Sequence, residues 1–153
     1  MIYKALVEQL LRYGLVIWGG GYDSSMEQLT IIQNCIVKIM FRLPRLYATN
    51  QLYTCDICSL RTLYVISTCK FLHKNPNLKQ YVSNKYHTRA NSNQLLNIPS
   101  FRKNVNHRFV NYLGIKFYNL LPLEIRMIQK PSKFVKRCKI YVTFNLHLFM
   151  NIF

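Results

Sequence analysis

Apolar residues recur at three- and four-residue spacing through most of the chain, the period of an amphipathic helix. Leu6, Leu10, Tyr13 and Ile17 form one such stripe and predict a helix over Ile2 to Ile17. Gly14 falls inside it and weakens its last turn by about 1 kcal/mol relative to Ala. Trp18 is expected to plug the end of this helix beside a flexible break, Gly19-Gly20-Gly21. The helix starts almost at Met1 with no capping residue before it, as expected of a segment taken from something longer.

Ser24 with Glu27, and Ser25 with Gln28, have capping-box spacing and predict a second helix. Leu29, Ile32, Ile36, Ile39, Met40 and Leu43 mark its apolar face, Lys38 and Arg42 sit four apart on another, and Pro44 stops it. Tyr47 to Asp56 reads as a loop with a short helical turn. Ser59 is placed to cap a third helix from Leu60 to about His73, with Leu63, Ile66 and Lys70 along it. Asn75-Pro76-Asn77 ends that helix, and Leu78 to Val82 suits one further turn.

Composition changes near Ser83. From there to Asn106 the chain is rich in Asn, Ser, His and bases, and helix signals are few. Leu95 to Arg102 suits a short strand that Pro99 would confine to an edge. Apolar and aromatic residues then return at helical spacing from Arg108 to Leu121: Phe109, Tyr112, Ile115, Phe117, Tyr118 and Leu121. Pro122 ends this helix and opens a short one, Leu123 to Ile128. Ser132 is placed to cap the last helix, with Phe134, Cys138, Tyr141, Asn145 and Leu148 facing inward. The pattern predicts a mainly α, single-domain fold of about six helices. Its helical part is 1–82, an irregular basic connector spans 83–106, and aromatic and basic C-terminal helices occupy 107–153.

Charge changes this picture most. Lys and Arg number 21 against 5 Asp and Glu, a formal net charge of +16 over 153 residues. The acids are Glu8, Asp23, Glu27, Asp56 and Glu124, so most bases lack an acidic partner within the chain. Such an imbalance favours a polyanionic partner, nucleic acid or an anionic membrane surface. A codon bias toward Lys, Asn, Ile, Tyr and Phe is the competing explanation. The N-terminal segment carries Lys4, Glu8 and Arg12 and so has no secretory core. No run approaches the roughly 18 apolar residues of a membrane span. Five scattered cysteines suit a reducing compartment, so an intracellular location, nuclear or cytoplasmic, is expected.

Five segments in order carry a family resemblance. They are RYGLVIWGGG (12–21), LTIIQNCIVKIMF (29–41), YTCDICSLRTLYVISTCKFLHK (53–74), YHTRANSNQLLNIPSFRKN (86–104) and YLGIKFYNLLPLEIR (112–126). In order and spacing they resemble the region after the polymerase in jockey-like and related LINE-type (non-long-terminal-repeat) retrotransposon reverse transcriptases. Phe134, Cys138-Lys139 and Tyr141 match the family's final segment, and the resemblance covers roughly residues 1–145. Tyr118 stands where the family usually has Trp, and the ending after Asn145 departs from the usual one. The resemblance implies a C-terminal fragment of an RNA-directed DNA polymerase polyprotein, assisting template RNA or target DNA binding.

The chemistry of such a polymerase needs paired aspartates on metal ions. Asp23 and Asp56 are isolated, so no catalytic residue and no enzymatic activity is predicted for this chain. Cys55 and Cys58 have half-zinc-site spacing, with Cys69 and His73 four apart beyond them. Cys69 and His73 fall on the third helix, where buried cysteine as a small hydrophobe is the simpler reading. No metal, cofactor or small-molecule substrate is therefore expected. His87-Thr88-Arg89 reads equally as a phosphate clamp or as a polar loop. Tyr112, Phe117 and Tyr118 could stack on bases, although their helical spacing favours a core role. The predicted nucleic-acid contacts are Arg89, Arg102, Lys103, Arg108, Lys116, Lys133, Lys136, Arg137 and Lys139. The alternatives are a decayed copy with no biochemical role, and a basic peripheral-membrane or protein-interaction module built on the last helix.

Overall fold

A computed structural model describes residues 3–52, 57–81 and 93–153. The fold is mainly α. Among the described residues it has eight α-helices: α1 (Gln9–Arg12), α2 (Leu15–Trp18), α3 (Asp23–Met40), α4 (Leu60–Lys74), α5 (Val110–Leu120), α6 (Leu123–Arg126), α7 (Pro131–Phe144) and α8 (Leu146–Met150). None is long and apolar enough to cross a membrane.

The architecture is built around α4. Leu60, Leu63, Tyr64, Val65, Ile66, Cys69 and Leu72 are all buried. A helix that is apolar on every side has to be enclosed, and α4 is enclosed by α5 and α7, with α1, α2 and α3 completing the shell. It starts where Ser59 predicts: the Ser59 hydroxyl accepts from the Thr62 N–H at 3.2 Å. Asn75 ends it, and Pro76–Leu78 forms a single 3₁₀ turn. The turn expected over Leu78 to Val82 is thus displaced backward, and Val82 lies outside the described residues.

The first predicted helix is three pieces. Tyr3–Glu8 is wound as a wide π-helix, α1 follows, and Gly14 then adopts φ +63° before α2. That left-handed conformation is cheap only for glycine. Trp18 closes over the break and donates from Nε1 to the Tyr13 carbonyl at 3.0 Å. The break changes which residues are covered. Leu6, Leu10, Tyr13 and Ile17, expected to face inward, are 67–83% exposed, while Tyr3 and Leu15 are buried. The triple glycine is no flexible break either. Gly19 and Gly20 are buried, and a Cβ on Gly20 would lie 2.1 Å from the Arg108 carbonyl oxygen. Two stretches of backbone meet there with no room for a side chain.

In α3 the covered stripe is Met26, Gln33 and Val37, whereas Ile32 and Ile39 are exposed. The helix begins at Asp23, so Ser24 and Ser25 lie inside its first turn and neither capping box forms. Tyr3, Val37, Leu52 and Ile57 make a small second core beside the main one.

Residues 93–103 run irregularly over the surface. No strand forms among the described residues; a single antiparallel bridge joins Tyr81 to Leu96. His107 and Arg108 belong to a 3₁₀ turn (Asn104–Arg108), so α5 starts later than expected and Phe109 is exposed. Leu113, Ile115, Phe117, Tyr118 and Leu121 carry it into the core. Pro122 flanks α6 as its cap rather than opening it. Pro131, not Ser132, occupies the start of α7. Phe134, Cys138 and Val142 face inward, and Asn145 terminates the helix instead of joining that face.

Candidate nucleic-acid interface

The polar residues of the family-like segments act on the backbone of the fold. Gln33, buried in α3, donates from Nε2 to the Tyr3 hydroxyl at 2.7 Å and to the Cys58 carbonyl at 2.9 Å. Its Oε1 accepts from the Leu60 N–H at 3.0 Å, which satisfies an N-terminal donor of α4. Asn119 in α5 accepts from the Leu96 N–H and donates to the Leu96 carbonyl. Arg126 donates to three carbonyls, Leu121 at 3.0 Å, Gln94 at 2.7 Å and Asn93 at 2.8 Å. A half-buried guanidinium is thereby solvated by carbonyl dipoles rather than by water. Gln33, Asn119 and Arg126 were not singled out from sequence. Their sequence signal is weak, because Thr30, Asn34, Lys38, Lys116 and Glu124 are polar within the same segments.

Three cysteines and His73 likewise belong to the packing, while Cys35 is exposed. Cys58, Cys69 and Cys138 are buried in the main core. His73 stacks on Phe134 at 3.8 Å between ring centroids, and its Nδ1 lies 3.1 Å from the Tyr118 hydroxyl. Burial, with help from the nearby Lys79 ammonium, lowers the His73 pKa below its ordinary value. Burial also raises the Tyr118 phenol and lowers Lys79, whose ammonium donates to the His73 carbonyl at 3.1 Å. No cluster of three His, Cys, Asp or Glu suited to a metal occurs among the described residues. Cys55 lies outside them.

The predicted phosphate contacts separate into groups. Arg89, with His87 and Thr88, lies outside the described residues. Arg108 is committed elsewhere: its guanidinium covers the Tyr22 ring at 3.9 Å and donates to the Gly21 carbonyl at 3.2 Å. It clasps the α2–α3 turn to the 3₁₀ turn before α5, and is a fold contact rather than a free base. Lys116 extends over the Tyr112 ring at 4.5 Å, half-buried. Arg102 and Lys103 are exposed beside Phe101.

The remaining four lie on α7. Spacing of four buries Phe134, Cys138 and Val142 against the core, and 100° per residue turns Lys133, Lys136 and Arg137 outward. Lys139 is half-buried at the edge of that face. Lys133 and Arg137 border a groove of about 280 Å³ with Glu124, Ile125 and Ile128. The ion pair formed among the described residues is elsewhere, Arg12 to Glu8 at 2.7 Å. Further along the same outward face, Ile140 and Phe144 are 49% and 75% exposed.

Of the aromatics, Phe117 and Tyr118 are core residues, closed to any base. Tyr112 is half-buried and stacks on His107 at 4.4 Å. The structure thus brings Arg102, Lys103, Lys116 and Tyr112 to one region and the α7 bases to another. Compared with protein-family models, with curated proteins and with solved structures, the chain matches none.

Proposed function

We propose that this chain is a non-catalytic, C-terminal part of a LINE-type reverse transcriptase polyprotein that helps hold template RNA or target DNA. The observation that carries the binding half of this reading is the outward row Lys133, Lys136 and Arg137 on α7, with no ion-pair partner among the described residues. Like charges held on one rigid helix repel one another, and a polyanion relieves that repulsion while releasing its own counterions. Leu6, Leu10, Tyr13 and Ile17, apolar and 67–83% exposed across the three pieces of the N-terminal segment, support membership of a larger protein that covers them. The family half rests on the order of the five segments, and on Gln33, Asn119 and Arg126 within them holding the fold together.

Fluorescence anisotropy with labelled RNA and DNA tests the binding. Affinity is expected to be measurable at low salt and to fall steeply between roughly 50 and 200 mM salt. Undetectable or salt-insensitive binding overturns the reading.

A second reading has its own observation. Ile140 and Phe144 continue the basic face of α7 as exposed apolar residues, so that one face offers both charge and apolar side chains to an anionic membrane surface. Binding to anionic vesicles that survives excess RNA selects this reading over the first.

A further inference from the structure

Three rings form a group at the surface. Phe101 comes from the irregular segment, His107 from the 3₁₀ turn and Tyr112 from α5. Phe101 lies 6.2 Å from Tyr112 and 6.5 Å from His107 between ring centroids, and His107 stacks on Tyr112. All three are half-buried, so their edges reach solvent. A cleft opens on each side of this group. The two clefts have different chemistry.

Phe101 borders the first, of about 230 Å³. Its polar lining is four carboxamides, Asn77, Gln80, Asn97 and Asn111, over an apolar floor of Leu72, Leu78 and Ile115. His107 and Tyr112 border the second, of about 300 Å³, together with Asn104, Lys116 and Arg108, whose guanidinium is already committed to Tyr22 and the Gly21 carbonyl, so that Lys116 is the base it offers. Among the described residues no acid lines either cleft. Arg102 and Lys103 are exposed on the segment that joins Phe101 to the 3₁₀ turn.

We infer that this double cleft is a binding site for an unpaired nucleic-acid strand, with a base in the amide cleft and the adjoining phosphate in the basic one. The inference rests on the nucleic-acid reading above and adds a place and a strandedness to it. A carboxamide offers a donor and an acceptor side by side, which matches the edge of a nucleobase. Bases in a duplex have already paired the edges that unstacked bases present to a protein. The amide cleft is neutral and has room for one base, not for a helix. The rings add an apolar rail between base and phosphate; Tyr112 is already covered by His107 and Lys116, so the base is held by the amides rather than by stacking. Lys116, held over Tyr112, supplies the charge on the far side. Lys133, Lys136 and Arg137, by contrast, stand together with no amide or ring among them, Phe144 lying about two turns further along α7, so their phosphate contacts take paired and unpaired strands alike.

The test uses the full chain and labelled oligonucleotides of about 12 nucleotides, as single-stranded RNA, single-stranded DNA and duplex DNA. Asn77 and Asn111 are exposed, so replacing them leaves the core intact. Each unpaired strand is expected to bind about tenfold tighter than the duplex. The N77A/N111A double variant, with an unchanged circular-dichroism melt, is expected to lose about tenfold on single strands and nothing on the duplex. The tighter of the two single strands names the sugar the site accepts. Equal affinity for paired and unpaired strands, or a double variant that binds single strands like the parent, overturns this site while leaving nucleic-acid binding by α7 standing. No binding to any of the three at low salt overturns both.

Discussion

The Asn119 side chain holds the Leu96 backbone by both of its polar groups: Oδ1 accepts from the Leu96 N–H at 2.8 Å and Nδ2 donates to the Leu96 carbonyl at 2.9 Å. A carboxamide here reproduces the paired bonds of a neighbouring strand. Leu96 can therefore bury its side chain completely although, among the described residues, its segment has no strand partner beyond the single bridge from Tyr81. Arg126 grips the same segment two and three residues earlier. The irregular run is anchored to α5 and α6 from one side.

This anchor sets the first prediction. Asn119→Ala leaves a donor and an acceptor unpaired beside a buried leucine, which costs about 1–3 kcal/mol for each group left unpaired. Urea unfolding followed by circular dichroism should show a lower midpoint. An unchanged midpoint would mean that water replaces the amide at no cost.

Gly20 is the tightest backbone crossing. Gly20→Ala would push a methyl against the Arg108 carbonyl, and a backbone atom cannot step aside as a side chain can. Overpacking of this kind costs about 1–3 kcal/mol. It should also dislodge Arg108 from Tyr22, so a thermal melt and tryptophan fluorescence from Trp18 should shift together. A melt like that of the parent would refute the crossing.

The two faces of the N-terminal segment should respond oppositely. Leu15→Ala removes a fully buried side chain and should cost about 2–5 kcal/mol. Leu10→Ser, at an exposed position, should change stability by less than about 0.5 kcal/mol. Equal losses from the two, read by chemical denaturation, would show that the stripe Leu6, Leu10, Tyr13 and Ile17 is covered after all.

Charge on α7 should govern the salt dependence of binding. Replacing Lys133, Lys136 and Arg137 by Gln is expected to lower the slope of log affinity against log salt by about 2.7 on duplex DNA, at about 0.9 per lost phosphate contact. Arg108→Gln should instead act through stability, because its guanidinium is spent on Tyr22 and the Gly21 carbonyl. A slope unaffected by the triple change would remove α7 from the interface.

His73 gives the fold a pH dependence with a definite sign. Its folded pKa lies below the unfolded value of 6.5, chiefly because burial disfavours the imidazolium. The unfolded chain therefore binds the proton more readily, so stability is full above pH 6.5 and declines as pH falls through the folded value. Urea midpoints at pH 7.5 and pH 5 should differ in that direction. His73→Phe, which keeps an aromatic ring against Phe134, should flatten the difference.

The helices themselves were written in local pattern. Ser59 caps α4 as its spacing predicts, and Pro44, Asn75-Pro76 and Pro122 fall where helices have already ended. The outward bases of α7 were also legible, because Phe134 and Cys138 fix the opposite face. The roles of Arg108, Gln33 and Asn119 were not. Each depends on backbone distant in sequence: 23 positions for Asn119 and Leu96, 25 for Gln33 and Cys58, and 87 for Arg108 and Gly21.

What the sequence by itself determined is therefore the mainly α class, the positions of the longer helices and the excess of positive charge. Tertiary structure alone decided which apolar stripe is covered. In α3 Met26, Leu29, Ile31, Ile32, Ile36, Val37 and Ile39 spread over more than half of the helix circumference, so periodicity offers more than one inward face. The Gln33 bonds to Tyr3, Cys58 and Leu60 select among them, and Ile32 and Ile39 are left outside. In the N-terminal segment the choice falls to Gly14, whose positive φ breaks a stripe that reads as continuous. Local spacing fixes where a helix can form; burial depends on the partner that arrives, and the partner is set by contacts distant in sequence.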